Sequence, residues 1–259
     1  MRRTMRFFLP IHCSICNSPL TDDPTPHFCS DCWSTVAQMP SPRCARCDRP
    51  FPSTIVTAHS PHYTCQTCIM RPPSYTRAWT LYPYTPPLRD AICLFKYRGK
   101  VALVSALTAL MIERLPCLSR LDVIMPVPLH RDRLRQREFN QSLLLADRIG
   151  RRLGIPISYS NLIRTIPSPP QTTLSKKSRL KNLRGTFTVR RPDAIREKCV
   201  LLIDDVFTTG TTVNECAKSL RKAGSSDVFV LTLGRTLDLD LVSDHLRAQP
   251  QYPVGSFGG

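Results

Sequence analysis

Apolar residues recur in regular runs after residue 77 and are sparse before it, so the chain divides into two parts. Mostly apolar runs predict buried strands at Ala78–Tyr84, Leu121–Met125, Ile155–Tyr159, Cys199–Ile203 and Asp227–Leu233. Helical spacing or a longer apolar stretch predicts helices at Pro86–Tyr97, Val101–Leu115, Asn140–Leu153 and Thr211–Ala223. Strand, helix and strand joined by short turns imply right-handed parallel crossovers. Residues 77–236 are therefore predicted to form one α/β domain.

Two later segments lack such a pattern. Ile163–Asn182 combines prolines, serines and threonines with a basic cluster that includes Lys176, Lys177 and Arg179. This composition predicts a mobile loop that leads into a short helix. Residues 237–259 are predicted to be a C-terminal tail, in which a helix over Asp238–Arg247 is the one visible candidate.

Residues 1–73 hold eight of the 12 cysteines, and a segment so poor in apolar residues needs a staple in place of a core. The eight form four C-x-x-C pairs, with twelve residues between the first two pairs and seventeen between the last two. Each pair can aim both thiolates at one metal ion, and two pairs complete the tetrahedral site that zinc prefers. The predicted ligands of two structural zinc ions are Cys13, Cys16, Cys29, Cys32, Cys44, Cys47, Cys65 and Cys68.

The spacing alone leaves open which pairs share a metal. Sequential pairing gives a double zinc ribbon and interleaved pairing a cross-braced module; the former is favoured because each hairpin then closes a shorter loop. Disulfides or an iron–sulfur cluster are the alternatives to zinc, and a thiolate could be replaced by a nearby histidine: His12, His27, His59 or His62. The remaining cysteines adjoin apolar runs and are predicted to be buried thiols: Cys93, Cys117, Cys199 and Cys216.

The charge balance points to phosphate-rich partners. Lysine and arginine number 36 against 19 acids, a formal net charge of +17 that two four-thiolate zinc sites would lower by about four. Such a field favours nucleic acid, phosphorylated metabolites or an anionic membrane surface, the alternative being a solubilising surface charge. No run of ~18–20 apolar residues suits a membrane span, and the start is too short for a signal-peptide core. We therefore expect a cytoplasmic protein, where paired cysteines more often hold metal.

The most informative stretch is Val200–Thr212, in which a buried strand leads to Asp204 and Asp205 and then to a turn before a helix. Ligands of open α/β sheets bind at this edge, and backbone N–H groups of such a turn suit a phosphate. The two acids can hold ribose hydroxyls, or a magnesium ion through water. The alternative is an ordinary helix cap, which needs one acid. The predicted phosphate cradle is Thr208, Thr209, Gly210, Thr211 and Thr212.

This stretch resembles the phosphoribosyl pyrophosphate loop of type I phosphoribosyltransferases, and it is no Walker loop because no lysine follows the glycine. Further motifs narrow the resemblance: Leu94–Gly99, Ile124–His130, the alternating arginines that follow, and Phe139–Gln141. Together with the cysteine pairs, they make residues 13–236 similar to the ComF family. One departure is Glu138, where that family usually has glycine.

The resemblance implies a type I phosphoribosyltransferase-like parallel sheet flanked by helices and preceded by a zinc-ribbon module. It further implies that the protein handles incoming single-stranded DNA, with the DNA-uptake helicase machinery as a partner. The loop Arg164–Arg184 takes the place of the flexible hood that closes over the active site in such folds. Asp204 and Asp205 become the catalytic candidates, with Mg²⁺ and phosphoribosyl pyrophosphate as ligands. The predicted nucleic-acid contacts are Arg131, Arg133, Arg135, Arg137, Lys176, Lys177 and Arg179, with Trp33, Tyr63 or Phe139 as stacking aromatics.

Several alternatives stay open at this point. The four alternating arginines bind pyrophosphate, contact nucleic-acid phosphates or are simply solvated. The whole chain is a DNA-handling protein that retains a phosphoribosyl-type pocket, an active phosphoribosyltransferase acting on a base or amine, or a non-catalytic scaffold. The first function is favoured because it accounts for both the zinc module and the basic charge.

Overall fold

The computed structural model describes residues 11–51, 63–118, 120–165 and 185–237. Six strands occur in these ranges: β1 (Arg77–Pro83), β2 (Val123–Pro126), β3 (Leu162–Arg164), β4 (Phe187–Val189), β5 (Cys199–Phe207) and β6 (Asp227–Arg235). The central sheet is fully parallel, in the order β1, β6, β5, β2, and β3 pairs with β4 in a separate antiparallel ribbon. The carboxyl ends of β5 and β6 therefore lie side by side at one edge.

The same ranges contain seven α-helices: α1 (Ser30–Ser34), α2 (Gln66–Met70), α3 (Leu88–Tyr97), α4 (Val104–Glu113), α5 (Arg131–Arg137), α6 (Gln141–Leu153) and α7 (Thr211–Lys222). Single 3₁₀ turns occur at Val101–Leu103 and Pro192–Ala194. Asn140 caps α6 by accepting from the Ser142 N–H, and Gly154 ends it in a left-handed conformation. Among the described residues, no helix is long and apolar enough to cross a bilayer.

Alternate side chains of β5 enter two separate cores, as expected of a strand covered on both faces. Val200 and Leu202 pack with apolar residues of α7, whereas Leu201 and Ile203 pack with those of α3, α4 and α6. The sheet is thus a layer between α7 on one face and three helices on the other. Both faces of β5 are covered by helices, which explains its nearly continuous apolar sequence.

The cysteine-rich segment packs against both faces of this sheet. Phe28, fully buried, joins the core of α3, α4 and α6, while all four cysteines of the second half join the core of α7. The second half also bonds to the edge strand β1, because the Ala78 N–H donates to the Arg46 carbonyl (2.9 Å) and the Thr80 N–H donates to the Asp48 carboxylate (2.7 Å). The predicted domain limits, 1–73 and 77–236, stay predictions.

Most predicted elements are present, with a few instructive differences. β5 runs on to Phe207, so the two acids lie within the strand rather than after it. The predicted strand Ile155–Tyr159 forms a single parallel bridge, between Ile124 and Ile157. Ile163 and Arg164 belong to β3 and Thr165 follows them, while residues 166–184 of the predicted loop and hood, and Asp238–Arg247, lie outside the described residues.

Two kinds of helix were not predicted. α1 and α2 have five residues each, too short to show helical periodicity, and each begins directly after a cysteine. α5 has no apolar stripe, since its sequence RDRLRQR contains one apolar residue. Periodicity cannot reveal a helix that buries so little.

Candidate functional site

Asp204 and Asp205 lie near the carboxyl end of β5, beside side chains from two helices. The Asp204 Oδ1 accepts a hydrogen bond from the Ser142 Oγ of α6 (2.9 Å). The Lys96 Nζ of α3 lies 2.7 Å from the Asp205 Oδ1, and both side chains are nearly buried. The strand thus carries both acids, while α6 supplies a neutral donor to Asp204 and α3 a cation to Asp205.

Burial and a neighbouring charge shift the pKa of Asp204. Burial, and then the negative charge of Asp205, raises the pKa of Asp204 to about 7, although Lys96 acts in the opposite direction. A carboxyl group with this pKa exists in both protonation states near neutral pH and can accept or donate a hydrogen bond. A strongly shifted acid beside a charged partner is typical of a functional site.

The predicted phosphate cradle, Thr208–Thr212, is the turn after β5 and the start of α7. Gly210 has a φ of +74° and precedes α7, and a Cβ there would lie 2.4 Å from the Phe207 Cζ, so only glycine fits. As the N-cap, Gly210 supplies no side-chain acceptor to the first turn of α7. The Thr209 and Thr211 hydroxyls lie 2.9 Å apart. Thr208 and Thr209 are exposed, whereas Gly210, Thr211 and Thr212 are half-buried.

Arg235 connects this turn to the cysteine-rich segment. It ends β6, pairs in register with Phe207 and is buried, with its guanidinium 4.6 Å from the centre of the Phe207 ring. The Arg235 Nη1 donates to the Cys47 carbonyl over 2.7 Å. Since the Phe207 ring lies under Gly210, the second cysteine group and the turn share one packed arginine.

The four alternating arginines do not act as one surface, because α5 divides them into two pairs. Arg131 and Arg135 are exposed, whereas Arg133 and Arg137 are half-buried on the other side. The Arg137 guanidinium lies 4.9 Å from the Tyr97 ring centre, and its Nη1 donates to the Gln141 Oε1 (3.2 Å). Burial, followed by the charge of Arg137, lowers the pKa of Arg133.

A fifth arginine lies in the same electrostatic environment. Arg164, at the end of β3, stacks 5.5 Å from the Phe187 ring centre, and its buried Nε has no hydrogen-bond partner within the described part of the chain. Burial, followed by the charge of Arg133, lowers the pKa of Arg164. The predicted nucleic-acid contacts Lys176, Lys177 and Arg179 lie outside the described residues.

The eight paired cysteines come together in two groups, as sequential pairing requires. The first is Cys13, Cys16, Cys29 and Cys32, and the second is Cys44, Cys47, Cys65 and Cys68, with the sulfur atoms of each group within 4.8 Å of one another. Representative Sγ–Sγ distances are 3.6 Å for Cys16–Cys29 and 3.7 Å for Cys47–Cys65. Four thiolates at ~2.3 Å from a tetrahedral zinc ion would be about 3.8 Å apart. Both groups therefore fit zinc, and the predicted sharing is confirmed.

Backbone N–H groups point at several of these sulfurs. The Cys44 Sγ accepts from the amides of Arg46, Cys47 and Cys65 at 3.3 to 3.5 Å, and the Cys13 Sγ accepts from the Cys29 amide at 3.4 Å. Such donors stabilise thiolates and orient them toward a metal. With four protein ligands each, both sites are closed, so the zinc ions would serve structure rather than catalysis.

Comparison with known proteins identifies a matching domain and several relatives of this chain. Residues 4–69 match the double zinc ribbon domain. The DNA utilization protein YhgH of Escherichia coli O6:H1 is 33% identical over 88% of this chain and 99% of its own length, and competence protein F of Haemophilus influenzae is 30% identical over 80% and 90%. The chain belongs to the ComF family. Competence protein ComFC of Streptococcus pneumoniae is 27% identical over 80% of this chain and 87% of its own length.

Solved structures of phosphoribosyltransferases are also similar to this ComF-family chain. A glutamine phosphoribosylpyrophosphate amidotransferase from B. subtilis matches at 24% identity and a TM-score of 0.36, covering 51% of this chain and 26% of that one. An adenine phosphoribosyltransferase from Thermoanaerobacter pseudethanolicus matches at 15% identity and a TM-score of 0.34, covering 54% and 83%. The expected fold class, a parallel sheet flanked by helices after a zinc-ribbon module, is confirmed.

Some sequence predictions about single side chains need correction. Cys117 is exposed rather than buried, while Cys199 and Cys216 are buried and Cys93 is half-buried. Trp33 packs on Phe28 and Phe139 packs on Phe95, with ring centres 5.4 and 5.5 Å apart.

Sequence reasoning assigned no role to several residues that line the site: Lys96, Tyr97, Ser142 and Arg235. Lys96 and Tyr97 lie in a motif that carried the family resemblance, Leu94–Gly99, which is the one signal that could have found them.

Proposed function

We propose that this protein handles single-stranded DNA in the cytoplasm during DNA uptake and binds a phosphoribosyl pyrophosphate-type ligand at Asp204–Thr212. The observation that carries the proposal is a chain of contacts that joins the two sites. Lys96 pairs with Asp205, the Lys96 carbonyl accepts from the Gln141 Nε2 (3.5 Å), and Gln141 accepts from Arg137 of the basic helix. A pocket suited to ribose phosphate thus adjoins cations suited to a nucleic-acid backbone.

In the pocket, each group has a role that follows from its chemistry. Backbone N–H groups at Gly210–Thr212, with the threonine hydroxyls, donate to the 5-phosphate, because the N-cap Gly210 has no side chain to occupy them. The Thr211 N–H donates to the Thr209 hydroxyl over 3.4 Å, and the phosphate would replace this long bond. Asp204 and Asp205 accept from the ribose hydroxyls, or hold Mg²⁺ through water. Lys96 pairs with Asp205 over 2.7 Å and holds its carboxylate in place.

On the outside, the basic helix and the net charge of +17 support nucleic-acid binding. The named relatives support its biological context, since they are called competence protein F, competence protein ComFC and DNA utilization protein. Two structural zinc ions complete the protein, and DNA-uptake helicase machinery is the partner we propose.

The pocket is tested by calorimetry with phosphoribosyl pyrophosphate and Mg²⁺. Asp204→Asn combined with Asp205→Asn removes charged acceptors, at ~1–3 kcal/mol for each buried charged hydrogen bond, so affinity should fall by at least tenfold. Thermal unfolding of the variant checks that the fold survives. Unchanged affinity would rule out this pocket.

The outer surface is tested with labelled single-stranded DNA at increasing salt. Each phosphate contact should contribute a log–log slope of about −0.7, since binding releases counterions. Reversing the charge of all four arginines of α5 should abolish most of this slope. Binding that changes neither with salt nor with charge reversal would show that the DNA does not bind at the arginines of α5.

An active phosphoribosyltransferase is the second candidate, because the raised pKa of Asp204 is typical of catalytic carboxyl groups. Release of pyrophosphate on adding a base or amine would support it. DNA binding without any ligand in the pocket would instead support the third candidate, a non-catalytic scaffold.

A further inference from the structure

Tyr97 is an exposed aromatic residue directly after Lys96, which pairs with one of the two acids of the proposed pocket. It ends α3, is 63% exposed, and follows directly after Lys96, whose ammonium group reaches Asp205. The neighbouring Phe95 is fully buried. Two consecutive residues therefore direct a cation to Asp205 and an aromatic ring to the protein surface.

The surroundings of Tyr97 are cationic. The Arg137 guanidinium lies over the ring at 4.9 Å, and Arg98 and Lys100 follow it along the chain with exposed side chains. Arg137 is itself held by Gln141, which also bonds to the Lys96 carbonyl. The arginine and the tyrosine are thus fixed to the same two helices that line the pocket.

We infer that Tyr97 and Arg137 form a stacking site for one base of a single-stranded nucleic acid, beside the pocket. An exposed ring gives an apolar face for any base, and a planar guanidinium extends it. Cations on both sides neutralise the flanking phosphates. This inference rests on the proposed DNA-handling function and assigns to it a residue that contacts bases rather than phosphates.

The division of α5 supplies a second part of the inference. Arg133 and Arg137 are on the half-buried side with Tyr97, whereas Arg131 and Arg135 face away and are exposed. The bound nucleic-acid strand should therefore follow the face of α5 that carries Arg133 and Arg137. The outer pair adds a long-range attraction that does not depend on bases.

The test compares two labelled strands of equal length, oligo-dT and an abasic deoxyribose-phosphate strand, in an anisotropy titration at fixed salt. A stacked base is worth roughly 5- to 150-fold in affinity, so the wild-type protein should prefer oligo-dT by about that factor. Tyr97→Ala should bring the preference close to one, and Tyr97→Phe should keep it because the ring remains. Arg137→Gln should reduce it.

Two matched controls separate stacking from charge and folding. Tyr159 is also exposed (57%) and lies outside this site, so Tyr159→Ala should leave the preference unchanged. Arg131→Gln with Arg135→Gln should weaken both strands equally. A wild-type protein that binds neither strand would overturn the proposed function as well. Binding without a base preference, or a preference that survives Tyr97→Ala, would overturn the stacking site alone.

Discussion

The two zinc ribbons have the same local backbone but very different surroundings. In the first, the Cys13 N–H donates to the Ser18 carbonyl, and in the second the Cys44 N–H donates to the Arg49 carbonyl, both over 2.8 Å. Cys16 of the first is exposed, whereas all four cysteines of the second are buried in the core of the α/β domain. The metal-binding cysteines of a repeated motif can thus lie outside the main core in one copy, which attaches through Phe28, and inside that core in the other.

The difference is visible at one equivalent position. Asn17 and Asp48 follow the second cysteine of their knuckles and share a left-handed backbone, with φ of 61° and 62°. Asn17 is exposed. Asp48 is 2% exposed and accepts from the Thr80 N–H, the Thr80 hydroxyl and the Arg43 guanidinium. In the second ribbon, the turn is therefore bonded to β1 through the Asp48 side chain, whereas Asn17 leaves the equivalent turn local.

The largest expected effect comes from removing each metal in turn. Cys44→Ser with Cys47→Ser should prevent stable folding, because a structural zinc site supplies about 10 kcal/mol or more and a domain has only 5–15 kcal/mol in total. Cys13→Ser with Cys16→Ser should remove one zinc and leave residues 77–236 folded. Zinc content and thermal unfolding measure both. An equal loss of thermal stability in the two variants would contradict the proposed difference between the ribbons.

The attachment through Asp48 gives the next effect. Glycine accepts a left-handed backbone without strain, so Asp48→Gly and Asn17→Gly remove only side chains. Asp48→Gly should cost about 2–3 kcal/mol of unfolding free energy, since the Thr80 N–H loses its acceptor in a buried place. Asn17→Gly should change it by less than about 0.5 kcal/mol. Denaturant unfolding tests the pair, and similar values for both would contradict the argument.

Arginines that join each ribbon to the α/β domain provide the smallest contrast. Arg235→Gln should cost about 1–3 kcal/mol, because the Cys47 carbonyl is left without its buried donor, and should weaken phosphoribosyl pyrophosphate binding through Phe207. Arg114, which donates to Gln38 after the first ribbon at an exposed site, is the control. Arg114→Gln should be within about 0.5 kcal/mol of wild type. If Arg235→Gln leaves the affinity for phosphoribosyl pyrophosphate unchanged, the second ribbon does not influence the ligand-binding turn.

Sequence patterns predict what is local or periodic. The strands β5 and β6, the helices α6 and α7 and the cysteine groups were all foreseen, because each depends on residues close in sequence.

Contacts between distant segments were not foreseen. Nothing in the run Leu94–Gly99 shows that Lys96 reaches Asp205, and nothing near Arg235 shows that it meets Cys47. The division of the α5 arginines also needed the structure, because an alternating series does not reveal that it is helical. Such contacts follow from how helices and ribbons pack on the sheet, which short patterns do not encode.

The bond between the second ribbon and β1 has a consequence for self-association. β1 is an edge strand, and its Ala78 and Thr80 N–H groups are taken up by Arg46 and Asp48 rather than left open. Unpaired N–H groups along a sheet edge are templates on which a second chain can add a strand. By occupying these N–H groups, the zinc knuckle also protects the edge strand from pairing with other chains, which would lead to aggregation. Chelating this metal should produce β-rich aggregates before it produces a dispersed unfolded chain.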